Sequence, residues 1–291
     1  MSHTLPQLPS LLDHAEVTAI IELALAEDGI HNDLTTLACH AGDRQARADL
    51  IAKSDTVAAG ALLIEPICRS AQIENMSVSY FAAEGQTLSS GAKWITLEGR
   101  AADILRAERT ILNFLQRICG IATATQKVVA AVKHTDCKIL HTRKTAPGHR
   151  RTDIYGALTG GAHAHRRSLD DAILVKENHL RTAASFQDLF DGINLIRSRA
   201  SFVEIEVTSF LELKHALAAR PDRILLDNFS VSDVAKAVML FGSSVQLEAS
   251  GGINLSNVRA FAETGVDFIS MGALTHSAPA ADLSLLFEIK P

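Results

Sequence analysis

Residues 202–252 read FVEIEVTSFLELKHALAARPDRILLDNFSVSDVAKAVMLFGSSVQLEASGG. Three apolar runs, Phe202–Val207, Ile224–Leu226 and Val245–Leu247, lead to Glu206, to Asp227-Asn228 and to Glu248-Ala249-Ser250-Gly251-Gly252. The segments between them have helical spacing. One opens on a capping box, Ser209-Phe-Leu-Glu212, and the next on Ser230 or Ser232 ahead of Val234–Leu240. Short runs that are apolar throughout and alternate with helices predict parallel strands covered on both faces.

The same texture extends in both directions. Lys138–Leu140 ends in His141-Thr142-Arg143-Lys144, Ala172–Val175 ends in Lys176-Glu177-Asn178, and Phe268–Ser270 ends in Met271-Gly272. From Lys176 the strand-end positions Glu206, Asp227, Glu248 and Ser270 recur every 21 to 30 residues, room for one strand and one crossover helix. Polar residues gathered at successive strand C-termini are how a β/α barrel presents an active site. A charge that merely solvates a strand end explains any one of these positions, but not the series.

Ahead of this repeat the pattern differs. Val17, Ile20, Ile21, Ala24 and Leu25 predict an amphipathic helix over Asp13–Glu27, with Asp13 as its N-cap. Strand-like runs at Ala48–Ala52, Val78–Phe81 and Trp94–Leu97, a helical patch at Leu62–Ala71 and intervening glycines predict a small α/β layer. A long helix is expected from Ala101 towards Gly120, its apolar stripe interrupted by Glu108 and Arg109.

Composition narrows the function classes. The 291 residues carry 28 Lys+Arg against 33 Asp+Glu, with 47% hydrophobic residues, a profile that excludes disorder and any global attraction to nucleic acid or anionic lipid. Cys39, Cys68, Cys119 and Cys137 never approach CxxC spacing and read as reduced core or near-core thiols. The first residues lack a signal peptide's basic and apolar regions, and no apolar run spans a membrane; the cytoplasm is the expected compartment.

The charge is unevenly spread. Between His141 and Lys176, the basic residues Arg143, Lys144, Arg150, Arg151, Arg166, Arg167 and Lys176 face only Asp153, Asp170 and Asp171, leaving that segment at +4 and the rest of the chain at -9. A cationic pocket in an anionic protein suits a small anion, because arginine forks grip carboxylate or phosphate and lysines act as point charges on phosphate. Glu206 and Asp227 could hold Mg²⁺ or accept from sugar hydroxyls, with helix capping or ion pairing as the ordinary alternative. Ser250-Gly251-Gly252 and Met271-Gly272-Ala273 follow the last two expected strands, where barrel loops often cradle a phosphate through backbone N–H groups. His163 and His165 lack the further ligands a zinc site needs. No Gly-x-Gly-x-x-Gly or Walker pattern occurs.

These residues fall into an ordered series of motifs. They include Glu27-Asp28, Asp33-Leu34-Thr35-Thr36, Glu108-Arg109, Thr142-Arg143-Lys144-Thr145-x-Pro147-Gly148-x-Arg150 and His165-Arg166. The series continues with Lys176-x-Asn178-His179, Glu204-x-Glu206, Leu226-Asp227-Asn228-Phe229, Ser250-Gly251-Gly252 and Gly272-Ala273-Leu274-Thr275-His276. In this the chain resembles, over almost its whole length, the quinolinate phosphoribosyltransferases, also called carboxylating nicotinate-nucleotide pyrophosphorylases.

The resemblance implies an N-terminal α/β sandwich domain (1–117, joined by the tail 277–291) and an incomplete parallel α/β barrel (118–276) that carries the site. It implies transfer of a phosphoribosyl group from phosphoribosyl pyrophosphate (PRPP) to quinolinate with decarboxylation, a pentosyltransferase reaction of de novo NAD biosynthesis. Arg143, His165, Arg166 and Lys176 would bind the two carboxylates beside Thr142, with Arg109 supplied by the partner in a homodimer. Lys144 and Lys176 would meet PRPP phosphates, and Glu206 and Asp227 would orient the ribose and Mg²⁺. Ser250, Gly251, Gly252, Met271, Gly272 and Ala273 would take the 5′-phosphate. Lys144, Lys176, Glu206 and Asp227 would be the catalytic set.

Four positions depart from the family pattern. His141 stands where an acidic residue commonly precedes Thr-Arg-Lys, Asn32 replaces Gly, Ala164 replaces Asn before His-Arg, and Ile154 sits where the family tends to have Lys. Three other readings compete: a paralogous pyrophosphorylase of the molybdenum-operon type, a barrel aldolase using Lys176 as a Schiff-base lysine, and a silent sugar-phosphate binding protein. Retention of His165-Arg166 with Lys176 argues against the first.

Overall fold

The computed structural model describes residues 8–39 and 44–289. Along them run α1 (Leu8–Leu12), α2 (Ala15–Glu27), α3 (Leu34–Ala38), β1 (Gln45–Ala52), β2 (Thr56–Val57), α4 (Ile64–Ser70), β3 (Ser77–Tyr80), β4 (Thr87–Leu88), β5 (Lys93–Arg100) and α5 (Ala101–Val132). Then come β6 (Lys138–Leu140), α6 (Arg150–Thr159), β7 (Ile173–Val175), α7 (Glu177–Thr182), α8 (Phe186–Ile196), β8 (Val203–Val207) and α9 (Phe210–Ala216). The chain closes with β9 (Arg223–Asp227), α10 (Val231–Phe241), β10 (Gln246–Ser250), α11 (Val258–Ala262), β11 (Phe268–Ser270), α12 (Ala273–His276) and β12 (Leu283–Ile289). One compact unit gathers the described residues up to Gln126, Thr145–Gly161 and those from Leu274 onward; the other holds Lys127–Lys144 and Ala162–Ala273. The boundary expected between residues 117 and 118 falls inside α5, and residues 145–161, expected in the barrel, group with the first unit.

In the first unit an antiparallel sheet has the order β12-β1-β5-β3. The alternation of β1 explains its two faces: Ala46, Ala48, Leu50 and Ala52 are buried, while Asp49 on the other face accepts from Thr96 Oγ1 at 2.5 Å and pairs with Arg47 and Lys93. The inner face meets Ile64 and Ile67 of α4 and Ile104, Ile111, Leu115 and Ile118 of α5 in one core around Trp94. His14, not Asp13, caps α2: its Nδ1 accepts the Glu16 N–H at 3.2 Å, so the helix begins one residue later than its spacing suggested.

Gly120 does not end α5, which runs on to Val132. A Cβ there would lie 2.1 Å from the Pro279 carbonyl oxygen, so this glycine exists for close approach of the segment leading into β12. That segment is fastened by Ala281 N–H to Gln116 O (2.8 Å) and Gln116 Nε2 to Leu283 O (3.1 Å).

The second unit is a parallel sheet of six strands in the order β6-β11-β10-β9-β8-β7. It is curled. His165 lies two residues beyond His163, which bridges to Leu140 at the end of β6, yet its ring nitrogen is 2.9 Å from Glu204 of β8. Four strand steps of about 4.8 Å each would hold these residues apart in a flat sheet. The contact requires the sheet to wrap, as in an incomplete α/β barrel. Ser209 and Ser230 cap α9 and α10 by accepting the N–H of Glu212 and Asp233 at 3.3 and 3.1 Å. β10 runs to Ser250 instead of stopping at Leu247, so Glu248 is a mid-strand buried residue and not a strand end.

The four cysteines are free. Burial pushes the Cys68, Cys119 and Cys137 thiols up to about 12, whereas Cys39 is exposed and not part of the core. Among the described residues no helix is long and apolar enough to cross a membrane.

Gly120→Ala is expected to destabilise the protein by ~1–3 kcal/mol in urea unfolding, because a methyl group must displace backbone. Gly192→Ala, in α8 with nothing within 4 Å of the added carbon, should be neutral or stabilising by ~0.4–1 kcal/mol.

Candidate active site

A cavity of about 350 Å³ opens at the C-terminal ends of the six strands. Its lining follows from the period of two in a strand, which sends alternate side chains to one face. Leu174 and Lys176 come from β7 and its end, Glu206 from β8, Leu225 and Asp227 from β9, Glu248 and Ser250 from β10, and Ser270 from β11. His141, Thr142, Arg143 and Lys144 follow β6, and His165 and Arg166 complete the wall. The Lys144 N–H donates to Thr142 Oγ1 at 3.1 Å, a local turn that bends the chain just beyond the strand.

The cavity has an anionic side. Lys176 Nζ donates to Glu206, and Lys176 N–H donates to His179 Nδ1 at 3.0 Å at the start of α7. Burial, then the charge of Glu206, raises the Asp227 carboxyl above its ordinary range, while Lys176 and Lys144 oppose the rise. A carboxylate pair in this state favours a cation or a hydroxyl donor placed between them. Both are hard oxygen donors of the kind Mg²⁺ takes.

Its cationic side is Arg143, Lys144, Arg166 and Lys176. The remaining basic residues of the 141–176 segment are engaged elsewhere: Arg151 pairs with Glu16, Arg167 with Asp171, and Arg150 stands on α6 in the first unit. Arg166 is buried, with Nη1 donating to Ala172 O at 3.3 Å. Burial, then the charge of Arg143 on the same cavity wall, lower its pKa.

Beneath the cavity lies a charged floor that strand-end reasoning missed. Glu204 and Glu248 are wholly buried; His165 Nε2 is 2.9 Å from Glu204 Oε2 and 3.5 Å from Glu248 Oε2, and Arg223 Nη1 donates to Glu248 Oε2 at 3.0 Å. Arg223 also stacks 3.9 Å from the Phe268 ring centroid. Burial and the charge of Glu248 push Glu204 up to about 7. Burial opposes ionisation of Glu248 as well, but its bonds from His165, Ser270 and Arg223 hold it down to about 2. For His165, burial disfavours a charge while the two carboxylates pull its pKa up to about 9. Its Nδ1 accepts the Arg166 N–H at 2.8 Å, which puts a ring proton on Nε2, facing the carboxylates, and sets this bond against the second proton that the raised pKa favours. These three residues bring ligand-type atoms within 4.8 Å of one another.

Of the residues expected at the site, Thr142, Arg143, Lys144, His165, Arg166, Lys176, Glu206, Asp227 and Ser250 share this cavity. Gly251 and Gly252 follow Ser250 directly with φ of 90° and 62°, and a Cβ on Gly251 would come within 2.8 Å of the Asn228 backbone nitrogen. Met271, Gly272 and Ala273 follow Ser270 at the next strand end. Arg109 is exposed on α5 in the first unit. Of the four departures, His141 is buried at the site, Ala164 and Asn32 are exposed, and Ile154 is in the core of the first unit.

An open β/α barrel whose mouth opposes four cationic side chains to a carboxylate pair is an enzyme architecture for small anionic substrates. The quinolinate phosphoribosyl transferase N-terminal domain matches residues 33–119 and the C-terminal domain of the same family matches residues 121–286. A chloroplastic carboxylating nicotinate-nucleotide pyrophosphorylase from Oryza sativa subsp. japonica is 36% identical, over 97% of this chain and 81% of its own length. A probable carboxylating nicotinate-nucleotide pyrophosphorylase from Bacillus subtilis is 34% identical over 94% of both. The solved nicotinate-nucleotide pyrophosphorylase of Francisella tularensis superposes with a TM-score of 0.87 at 37% identity, covering 94% of this chain and 96% of that one. The chain belongs to the quinolinate phosphoribosyl transferase family.

The raised carboxyl of Glu204 sets a pH dependence. Between its ordinary 4.5 and about 7 the folded chain holds a proton that the unfolded chain has lost, so stability falls as pH rises through this window. Thermal unfolding followed from pH 4.5 to 7.5 should show this decline superimposed on other titrations. Glu204→Gln should flatten it; an identical slope in the variant would remove the assignment.

Proposed function

We propose that the chain transfers the phosphoribosyl group of PRPP to the ring nitrogen of quinolinate and releases the 2-carboxylate as CO₂, giving nicotinate mononucleotide and pyrophosphate. The observation that carries this reading is the meeting of Arg143, Arg166, Lys144 and Lys176 with Glu206 and Asp227 in one cavity. Quinolinate needs cations for two carboxylates, and PRPP needs cations for its phosphates beside acceptors for its ribose hydroxyls.

In this assignment Arg143 and Arg166, with Lys176, hold the ring acid groups and set its nitrogen against the sugar C1, beside the wall formed by Thr142 and His165. The bond from C1 to the pyrophosphate oxygen breaks with its electron pair on the leaving group, which Lys144 meets. Glu206 and Asp227 face the cationic, oxocarbenium-like sugar and stabilise it. They are also the residues that would hold Mg²⁺, directly or through water or PRPP; when bound, that ion neutralises charge on the departing pyrophosphate. The 5′-phosphate goes to the backbone amides of Ser250, Gly251, Gly252, Met271, Gly272 and Ala273. Once the nitrogen carries ribose, the C2–carboxylate bond breaks, its electron pair stays on C2 beside the positive nitrogen, and a solvent proton replaces the CO₂. Lys144, Lys176, Glu206 and Asp227 are the catalytic set.

A homodimer in which the partner supplies Arg109 completes the carboxylate site in this reading; the exposed position of Arg109 is compatible with such a role. Four free thiols suit a reducing compartment such as the cytoplasm. The Lys176–Glu206 ion pair disfavours the Schiff-base alternative, since an ammonium engaged by a carboxylate is a poor amine nucleophile.

Protein mixed with carboxyl-labelled quinolinate, PRPP and Mg²⁺ should evolve labelled CO₂ only when substrates and metal are all present. Arg143→Ala or Lys176→Ala should lower the rate by ~10²–10³. No CO₂ at any pH would end this reading, and near-native turnover in either variant would remove that residue's role.

A further inference from the structure

His141 and His165 are linked in a way that substrate binding does not require. His141 is wholly buried just beyond β6, and its Nε2 accepts the His165 N–H at 3.1 Å. The His165 ring is then committed at both nitrogens, Nδ1 to the Arg166 N–H and Nε2 to Glu204 and Glu248. Neither nitrogen points a free proton or lone pair at a ligand. Along this chain of bonds, the floor of the barrel is tied to the backbone of Arg166.

Arg166 needs such a tie. The residue is buried, its Nη1 donates to Ala172 O at 3.3 Å, and the Arg143 charge acts on it, so a fixed backbone keeps the guanidinium in place against that charge. A dianion bound by both would screen the two charges from each other. His141 can serve as an acceptor throughout the physiological range because burial, then the nearby His165, push its pKa down to about 4.

We propose that His141 and His165 form a strut that positions Arg166 for the ring dicarboxylate. This rests on the reading of the cavity as a quinolinate site. His141 is a departure from the family pattern, and the strut gives it a task that an acidic acceptor in the same place could also perform.

The test compares an apolar with a hydrogen-bonding replacement, since Gln places its Oε1 near the position of a histidine Nε2. His141→Phe should raise KM for quinolinate ~10-fold or more by loosening Arg166 while KM for PRPP stays within about twofold. His141→Gln should recover quinolinate KM to within about threefold of the native value. The inference is overturned if a folded His141→Phe leaves quinolinate KM unmoved, if both KM values rise together, or if His141→Gln does no better than His141→Phe. Should His141→Phe not fold, Glu204→Leu against Glu204→Gln reads the same strut from its other end with the same expected split. If the native protein evolves no CO₂, the functional reading fails separately, and calorimetry with phthalate then reads the strut. Phthalate binding weakened ~10-fold by His141→Phe supports it; binding unchanged, or absent from the native protein, overturns it.

Discussion

Two carboxylates, Glu204 and Glu248, lie wholly out of water inside the curled six-stranded sheet, and the rest of the site stands on how they are matched. An unpaired buried charge costs several kcal/mol, roughly, so the sheet can carry them only because Arg223 and His165 are held against them. That match has consequences upward. The proton on His165 Nε2 is committed downward to the carboxylates, its Nδ1 is committed to the Arg166 amide, and the cations above are thereby set on a fixed floor. A buried ion cluster is weak evidence for stability in itself. Here its value lies in specifying a single arrangement of the groups that face the substrate.

The barrel supplies the converse of that floor. Each strand contributes residues two apart to the interior: Glu204 and Glu206, Arg223 and Asp227 with Leu225 between, Glu248 and Ser250. Glu204, Arg223 and Glu248 build the ionic floor, Glu248 reaching the cavity as well, while Glu206, Asp227 and Ser250 stand one step higher on its wall. The period of two along each strand thus stacks one layer of polar side chains over another.

Much of this was legible in the sequence. All six parallel strands and the Ser209 and Ser230 caps show in apolar runs and capping patterns, because these depend on neighbours in the chain. What depends on distant parts of the chain was not. Gly120 reads as a helix stop but is a point of backbone contact with Pro279, and Asp13 reads as a cap that His14 provides. Glu248 reads as a strand end because a charge looks out of place in a strand interior. Applying the period of two to Glu204-x-Glu206 and Glu248-x-Ser250 would have put both glutamates inside. The identity of their partners, Arg223 and His165, is set only by curling of the sheet. The +4 count between His141 and Lys176 likewise merges cavity cations with Arg150 and Arg151, which α6 carries into the other unit.

The central claim is that the cavity is built for two acid groups on one ring, gripped by Arg143 and Arg166. Titration calorimetry of quinolinate against nicotinate, which has the same ring and a single carboxylate, tests it most directly. A second charge-assisted carboxylate contact, worth ~1.5–3 kcal/mol, predicts quinolinate binding on the order of 10–100-fold tighter, with the advantage shrinking as salt is raised. Equal affinity for the two ligands at low salt would contradict it.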